Sequence, residues 1–141
     1  MSCVFCEIVA GKRETHKIYE NKDSLVILDA NPLAKGHCLA ISKRHVQWWY
    51  ELREAEVSSL FNAAKIASEK IMGVLKPDFV TMYARGKRIP HVHIFLIPTF
   101  NGDAIDRFFN TLEGFQESVA ELSEVKLGLE EISNTLRRDL H

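Results

Sequence analysis

A single long amphipathic segment, Glu54 to Leu75, most constrains what this chain can fold into. The segment ends at Lys76-Pro77, and its spacing predicts one helix with one buried face. Strand-like segments stand before and after it rather than alternating with further helices, which indicates an α+β fold with an antiparallel sheet. The apolar stripe consists of Val57, Leu60, Phe61, Ala64, Ile71, Met72 and Leu75.

Five short segments carry strand signals. His16–Asp29 predicts two strands around the polar turn at residues 21–24. His37–Ser42 predicts a third strand, with His37 on the same face as the apolar residues at 39 and 41. Phe79–Ala84 and His91–Pro98 predict a strand pair joined by the basic loop R-G-K-R-I-P. The sequence therefore predicts an antiparallel sheet of about five strands beside the long helix.

The last forty residues are predicted to be helical. Apolar residues recur there at three- and four-residue spacing, with Ser, Glu and Arg between them. These apolar positions are Leu122, Val125, Leu129, Ile132, Leu136 and Leu140.

Size and composition indicate one ordinary globular domain of 141 residues, with 46% apolar and 26% charged residues. The formal net charge of −1 favours neither nucleic acid nor an anionic membrane as a partner. No apolar run approaches the roughly 20 residues that span a bilayer. The amino terminus has no basic region followed by an apolar segment, so no secretory signal is expected. The predicted location is the cytoplasm.

Cysteines at positions 3, 6 and 38 do not form a disulfide framework, because cytoplasmic thiols stay reduced. Cys3 and Cys6 form a C-x-x-C pair. On spacing alone this pair is metal-binding, redox-active or accidental.

The segment I-P-H-V-H-I-F-L-I-P places two histidines on one strand. Because strand side chains alternate, Val92 and Ile94 should face the core, whereas His91, His93 and Phe95 should line a second surface. An imidazole there can act as a nucleophile, a proton carrier or a metal ligand. Two polar residues on a half-exposed face are the alternative interpretation, and the spacing alone does not exclude it.

Two further stretches carry a family resemblance. L-D-A-N-P-L-A-K-G-H-C-L-A-I-S-K-R-H and C-V-F-C-E-I-V-A-G-K, together with the His-x-His strand, closely resemble the histidine triad (HIT) family of nucleotide-binding hydrolases and transferases. The resemblance runs from Cys3 to about Asp103 and includes the final helix. It implies one HIT-like domain over residues 1–141, with an atypical helical segment at about 104–124.

The resemblance also implies roles for individual residues. His93 matches the histidine that attacks the α-phosphorus and forms a nucleotidyl-histidine, which water or another acceptor then resolves. His37 matches a histidine beside the phosphate, and His91 completes the implied catalytic group. The implied nucleotide-binding positions are Asp29 and Ala30 at the ribose and Phe5, Ile8 and Ile27 around the base, although ordinary core packing remains an alternative for the three apolar residues.

A zinc site is implied in the same way. Cys3, Cys6, His45 and His91 match the ligands of bacterial relatives that begin with C-x-x-C. Two thiolates and two imidazoles form a closed tetrahedral set, which is typical of structural zinc.

Two departures from the family pattern bear on activity. Phe95 replaces the third histidine and removes a hydrogen-bond donor, a loss that typically costs about 10²–10³ in rate. The loop before His91 is shorter than in the family and basic. Lys87 and Arg88 are predicted to bind the substrate's phosphates; the alternative is a solvated turn on a protein whose catalysis has decayed.

The resemblance therefore implies hydrolysis or transfer at the α-phosphate of a purine nucleotide conjugate by a homodimer. The residues 48–50, an aromatic triplet, are candidates for the interface or for packing under a loop. One alternative is a nucleotide-binding protein with weakened catalysis. Another is a zinc-stabilised interaction protein whose partner binds the segment around Phe108, Phe109 and Phe115.

Overall fold

The computed structural model describes residues 2–120 and 128–138 and divides the chain into two compact units, Met1–Asn101 and Gly102–His141. None of the helices in these described ranges is long and apolar enough to cross a membrane. The strands are β1 (Lys17–Glu20), β2 (Ser24–Leu28), β3 (Cys38–Ser42), β4 (Phe79–Tyr83) and β5 (His93–Thr99). The helices are α1 (Val4–Val9), α2 (Glu54–Leu75), α3 (Ala104–Ala120) and α4 (Leu129–Arg138), with a 3-10 turn at Trp49–Glu51.

The first unit contains an antiparallel five-stranded sheet in the order β1-β2-β3-β5-β4. β3 and β5 are neighbours although α2 and β4 separate them in the chain. The predictions of an α+β fold, of the two amino-terminal strands and of the β4–β5 pair are confirmed. The register places Cys38 opposite Leu96 and Ile41 opposite His93, so the start of β5 lies beside the end of β3.

Helix α2 covers one face of the sheet and has the predicted bounds. Its first turn is closed by Glu56, whose carboxylate accepts a hydrogen bond from the Arg53 amide at 2.9 Å. Its last turn ends at Lys76, which has a left-handed backbone (φ 51°). Leu60 is fully buried against the sheet, and truncation to Ala would cost about 2–5 kcal/mol. This layer includes Val26, Ala40, Leu60, Ala64, Ile71, Val92, Ile94 and Leu96.

The opposite face of the sheet carries a second, smaller core. Phe5 of α1 is buried there, and Cys3 and Ile8 pack around it. The strand residues of this core are Leu25, Ile27, Leu39 and Ile41. The six-residue helix α1 thus covers the strand face on which the histidines lie.

This cover changes the environment predicted for the two histidines. The alternation is confirmed, because Val92 and Ile94 pack in the α2 layer. The second face is not an open surface, however, since His91 is 0% exposed and His93 is 6% exposed. The strand also begins at His93 rather than at His91; the amides of His91 and Val92 instead bond to Ile89 and to Val46. The alternative interpretation, two polar residues on a half-exposed face, is therefore wrong.

The described residues of the second unit include two amphipathic helices, α3 and α4. The apolar side chains of α3 at Phe108, Leu112 and Phe115 are exposed. Leu129, Ile132 and Leu136 are exposed on α4. Helix α3 covers residues 104–120 of the predicted segment at 104–124, and α4 lies in the predicted carboxy-terminal helix. The predicted apolar positions Leu122, Val125 and Leu140 lie outside the described residues.

Candidate active site and metal centre

A hydrogen bond at the start of β5 determines the tautomer of the neutral His93 ring. Its Nδ1 lies 2.6 Å from the backbone oxygen of His91. A carbonyl oxygen only accepts, so Nδ1 must donate, and in the neutral ring the lone pair is then on Nε2. Nε2 makes no hydrogen bond to the described residues and is not among their fully buried, unpartnered polar atoms. His93 is therefore held in the tautomer of a nucleophile.

Aromatic rings and a cavity surround this imidazole. The centroid of the Phe5 ring lies 5.0 Å from that of His93, and the Phe95 ring lies 5.2 Å away in an edge-to-face arrangement. His93 also lines a cavity of about 180 Å³. The cavity walls are formed by the segment after β4, the start of β5 and the segment leading into the 3-10 turn. These residues are Ala84–Gly86, Val92–His93 and Gln47–Tyr50. The His93 ring is held in place by packing and also lies beside a cavity. A reactive side chain needs both a fixed position and room for its substrate.

His37 presents a second defined tautomer just before β3. Its Nδ1 accepts a hydrogen bond from the Leu33 amide at 3.1 Å, so in the neutral ring Nε2 carries the proton. Nε2 lies 3.6 Å from a carboxylate oxygen of Asp29 and is, in the described parts of the chain, the one buried side-chain polar atom without a hydrogen-bond partner. Burial lowers the pKa of His37 and outweighs the opposing effect of Asp29. His37 therefore offers a neutral N–H group that is still able to donate a hydrogen bond.

Phe95 fills the third position of the strand pattern with an apolar stack. Its ring stacks on that of Tyr83 at 4.4 Å between centroids and lies 5.2 Å from the ring of His37. Burial raises the pKa of Tyr83, while the nearby guanidinium of Arg85 lowers it and the carboxylate of Asp29 raises it. Position 95 contributes packing between the histidines and contributes no hydrogen-bond donor.

The four residues assigned to zinc lie together. Their ligand atoms are all within 4.8 Å of one another, which makes Cys3, Cys6, His45 and His91 a candidate metal-binding group. The thiol of Cys6 lies 3.2 Å from Nδ1 of His45 and 3.5 Å from Nδ1 of His91, and the two Nδ1 atoms are 3.2 Å apart. Tetrahedral zinc would place sulfur and nitrogen ligands about 3.6 Å apart and two nitrogens about 3.3 Å apart. The donor set fits such an ion.

Hydrogen bonding prepares His91 for this role. Its Nε2 lies 2.6 Å from the backbone oxygen of Ser42 and must donate to it, which leaves the Nδ1 lone pair facing the cysteines. Burial lowers the pKa of His91 against the smaller opposing effect of that bond, so the neutral ring is favoured. Burial, followed by the thiol of Cys3, raises the pKa of Cys6. A bound cation would reverse that shift, because thiols ligate as thiolates.

The remaining sequence-predicted residues divide by exposure. Lys87 and Arg88 are exposed and do not line the cavity beside His93. Asp29 is partly buried, and its carboxylate caps the Asn31 amide at 2.8 Å. Ala30 is exposed beside it. Phe5, Ile8 and Ile27 all contribute to the second core, and the ring of Phe5 lies 5.0 Å from that of His93.

Sequence reasoning missed Arg85 and Tyr83. The register pairs Tyr83 with Phe95, and continuing it by two residues places Arg85 opposite His93. Both Arg85 and His93 line the same cavity. The positions of Arg85 and His93 relative to their strands were visible in the sequence. Placing the two residues together required the correct pairing of β4 with β5.

These features define an α+β protein with a cavity beside His93 and a candidate metal centre. The HIT domain model matches residues 10–102. The adenosine 5'-monophosphoramidase hnt1 of Schizosaccharomyces pombe is 30% identical over 142 residues, which cover 97% of this chain and 100% of that protein. The chain belongs to the HIT domain family.

Two other relatives bear on chemistry. Adenylylsulfatase HINT3 of Arabidopsis thaliana is 33% identical over 108 residues, covering 73% of this chain and 55% of that protein. A zinc-bound histidine triad family protein from Mycobacterium smegmatis has a similar structure, with a TM-score of 0.67 and 29% identity over 74% of this chain and 79% of that chain. The family includes nucleotide-binding hydrolases, and one similar structure carries zinc.

Proposed function

We propose that this protein is a hydrolase or nucleotidyl transferase that acts at the α-phosphate of a purine nucleotide conjugate through a nucleotidyl-histidine at His93. The observation that carries the proposal is the 2.6 Å hydrogen bond between Nδ1 of His93 and the backbone oxygen of His91. It leaves the lone pair on Nε2, and His93 lines a cavity of about 180 Å³. The similarity to an adenosine 5'-monophosphoramidase supports the same chemistry.

The reaction has two displacements at phosphorus. In the first, the Nε2 lone pair of His93 forms a bond to the α-phosphorus, the bond to the leaving group breaks, and the leaving group takes a proton from solvent. The attacking ring becomes positively charged, and its Nδ1–H bond to the His91 carbonyl becomes charge-assisted and stronger. In the second, water or another acceptor attacks phosphorus, the N–P bond breaks and His93 is restored.

His37 and Asp29 hold the nucleotide in this proposal. The unpartnered Nε2–H of His37 is a buried donor that a phosphate oxygen would satisfy. Asp29, with its carboxylate 3.6 Å from that nitrogen, accepts hydrogen bonds from the ribose hydroxyls. His91 acts through its carbonyl and through the metal group. Lys87 and Arg88, exposed in the basic loop, bind the outer phosphates, and Ala30 adjoins the ribose.

The base occupies the boundary of the second core. Phe5 is 4% exposed and lies against His93, and Ile8 and Ile27 belong to the same cluster. A flat purine ring at this boundary would bury apolar surface on a preformed wall.

Zinc is the metal proposed for Cys3, Cys6, His45 and His91. Two thiolates and two imidazoles close the coordination sphere, so the role is structural: it fixes α1 to the segment before β5. Such a centre requires reduced thiols, which favours a cytoplasmic location. The similar zinc-bound structure supports this choice.

A homodimer is proposed through the β4 edge of the sheet. Phe79 and Met82 of β4 are 40% and 52% exposed, and Phe61 of α2 is 39% exposed. Trp49, Phe61, Met82 and Tyr83 line an adjacent cavity of about 180 Å³. An edge strand with neighbouring apolar side chains is typical of a surface that pairs with another chain.

Small molecules rather than nucleic acid or membrane remain the proposed substrates.

Phe95 favours a second candidate, a nucleotide-binding protein with weakened catalysis. Its ring occupies the place of a donor and packs edge-on to the nucleophile. A protein-interaction role remains the third candidate, because Phe108 and Phe115 are exposed on α3.

Intact mass after brief exposure to adenosine 5'-phosphoramidate separates these candidates. The quench should be alkaline, because N–P bonds hydrolyse in acid. The wild-type chain should gain one nucleotidyl group, His93→Ala should gain none, and His16→Ala, at an exposed position, should behave like wild type. AMP binding without adduct or turnover would favour the weakened protein. Absence of both binding and adduct would leave the interaction role.

A further inference from the structure

Position 95 leaves the attacking histidine without a donor on its own strand. Phe95 stacks on Tyr83, and its edge meets the ring of His93. The strand β4, which pairs with β5, leads into a loop that can supply a replacement. Charge developing on the phosphoryl oxygens during attack must be met by donors placed beside the nucleophile.

Arg85 lies two residues beyond the end of β4. β4 and β5 are antiparallel, and Tyr83 pairs with Phe95. Extending this register two residues past the end of β4 and two residues back from Phe95 would bring Arg85 opposite His93, and directly opposed residues of an antiparallel pair point to the same side of the sheet with Cβ atoms about 5 Å apart. Both residues line the same cavity of about 180 Å³. None of the ion pairs among the described residues involves Arg85.

The turn after Arg85 is tightly constrained. Gly86 is buried with φ +57°, and a Cβ at this position would lie 2.7 Å from the backbone oxygen of Gln47 and 3.4 Å from the ring of Trp48. The side-chain amide of Gln47 donates to the Gly86 oxygen at 3.2 Å. The backbone beside Arg85 is thereby fixed against the cavity wall, although the arginine itself is exposed.

We propose that Arg85 is a catalytic residue that donates hydrogen bonds to the non-bridging oxygens of the phosphoryl group attacked by His93 and so replaces the donor lost at Phe95. The guanidinium binds two oxygens of one phosphate through its planar fork. These oxygens lie to the side of the His93-to-phosphorus axis, which is where a residue opposite His93 reaches. This inference rests on the proposed function of His93.

Arg85 thereby differs from Lys87 and Arg88. The latter two lie in the same loop but do not line the cavity. Their proposed contacts are with outer phosphates. These contacts would stabilise the ground state and the transition state equally. Neutralising them should raise KM, whereas neutralising Arg85 should lower kcat.

Single-turnover formation of the His93 adduct from adenosine 5'-phosphoramidate tests the proposal. R85Q should slow adduct formation about 10²–10³-fold and weaken AMP binding less than tenfold. R85K should recover part of the rate, because it restores charge without the fork. Guanidinium chloride at millimolar concentration should accelerate R85A and leave wild type unchanged, a rescue that a structural role would not produce.

K22Q is the matched control, because Lys22 is an exposed cation in the turn between β1 and β2. It should keep the wild-type rate, and all variants should keep the wild-type melting temperature. A rate for R85Q within threefold of wild type, or equal losses of rate and AMP affinity, would overturn the role of Arg85 while His93 keeps its own. Absence of an adduct in the wild-type chain would overturn both proposals, and it would be seen before any Arg85 variant is made.

Discussion

Nδ1 of His93 lies 2.6 Å from the backbone oxygen of His91, and the side chain of His91 belongs to the candidate metal group. One residue thus connects the two centres: its carbonyl sets the tautomer of His93, the proposed nucleophile, and its ring turns a lone pair toward two cysteines. His91 is itself held by the Ser42 carbonyl at 2.6 Å. Order at the metal group should therefore be transmitted to His93 through a single peptide unit.

Loss of the metal group should lower both stability and activity. Cys6→Ser should reduce zinc to well below one ion per chain, lower the melting temperature and slow adduct formation, because His91 loses a partner for its lone pair. Metal content by mass spectrometry, calorimetry and intact-mass kinetics provide the measurements. Cys38→Ala is the control, since this buried thiol lies outside the group and should lose stability but keep zinc. Full zinc content in Cys6→Ser would contradict the assignment.

Restoring a histidine at position 95 should depend on Arg85. Phe95→His should accelerate wild type less than threefold but accelerate R85Q more than tenfold, because the two donors would serve the same phosphoryl oxygens. A double-mutant cycle on the rate of adduct formation measures this coupling. The substitution should cost about 1–3 kcal/mol of unfolding free energy, since an imidazole would replace an apolar ring in the stack on Tyr83. Equal acceleration in both backgrounds would mean that the donors act independently.

The Arg44–Glu56 ion pair should make stability depend on acid. Arg44 donates to both carboxylate oxygens at 2.9 Å, and this pairing lowers the pKa of Glu56 from 4.5 to about 2. A lowered folded-state pKa stabilises the protein above pH 4.5 and loses that contribution as pH falls from 4.5 toward 2. The contribution is about 1–3 kcal/mol, reduced from the full shift because the Arg44 side chain is 36% exposed.

Urea unfolding at pH 7 and at pH 3 measures this effect. Glu56→Gln should be less stable than wild type at pH 7, and the difference should shrink at pH 3. Glu69→Gln is the control, because the Lys65–Glu69 pair is exposed on the same helix and should change stability by less than about 0.5 kcal/mol. A constant penalty for Glu56→Gln at both pH values would show that charge is not its cause.

Two glycines should respond oppositely to the same substitution. Gly86→Ala should destabilise the protein by about 1–3 kcal/mol and slow adduct formation, because its φ of +57° and the nearby Gln47 oxygen leave no room for a Cβ. Gly73→Ala should stabilise it by up to about 1 kcal/mol, since it lies within α2 with nothing within 4 Å of the added carbon. Thermal unfolding compares the pair, and a stable, fully active Gly86→Ala would refute the constrained turn.

The sequence alone determined the elements whose signals are local. The bounds of α2 follow from its apolar period and from the Lys76-Pro77 stop, and the strand alternation placed Val92 and Ile94 on the core face. These signals are local because helix and strand periods depend only on neighbouring residues.

Tertiary structure decided what lies around the histidines. Phe5 belongs to α1, far from β5 in the chain, yet it buries the face on which His93 lies. Arg85 faces the same cavity as His93 only because β4 pairs with β5 in one register, and a slip of one residue would turn it to the other side. Burial and pairing of this kind depend on segments distant in sequence, so the spacing of residues within one strand could not predict them.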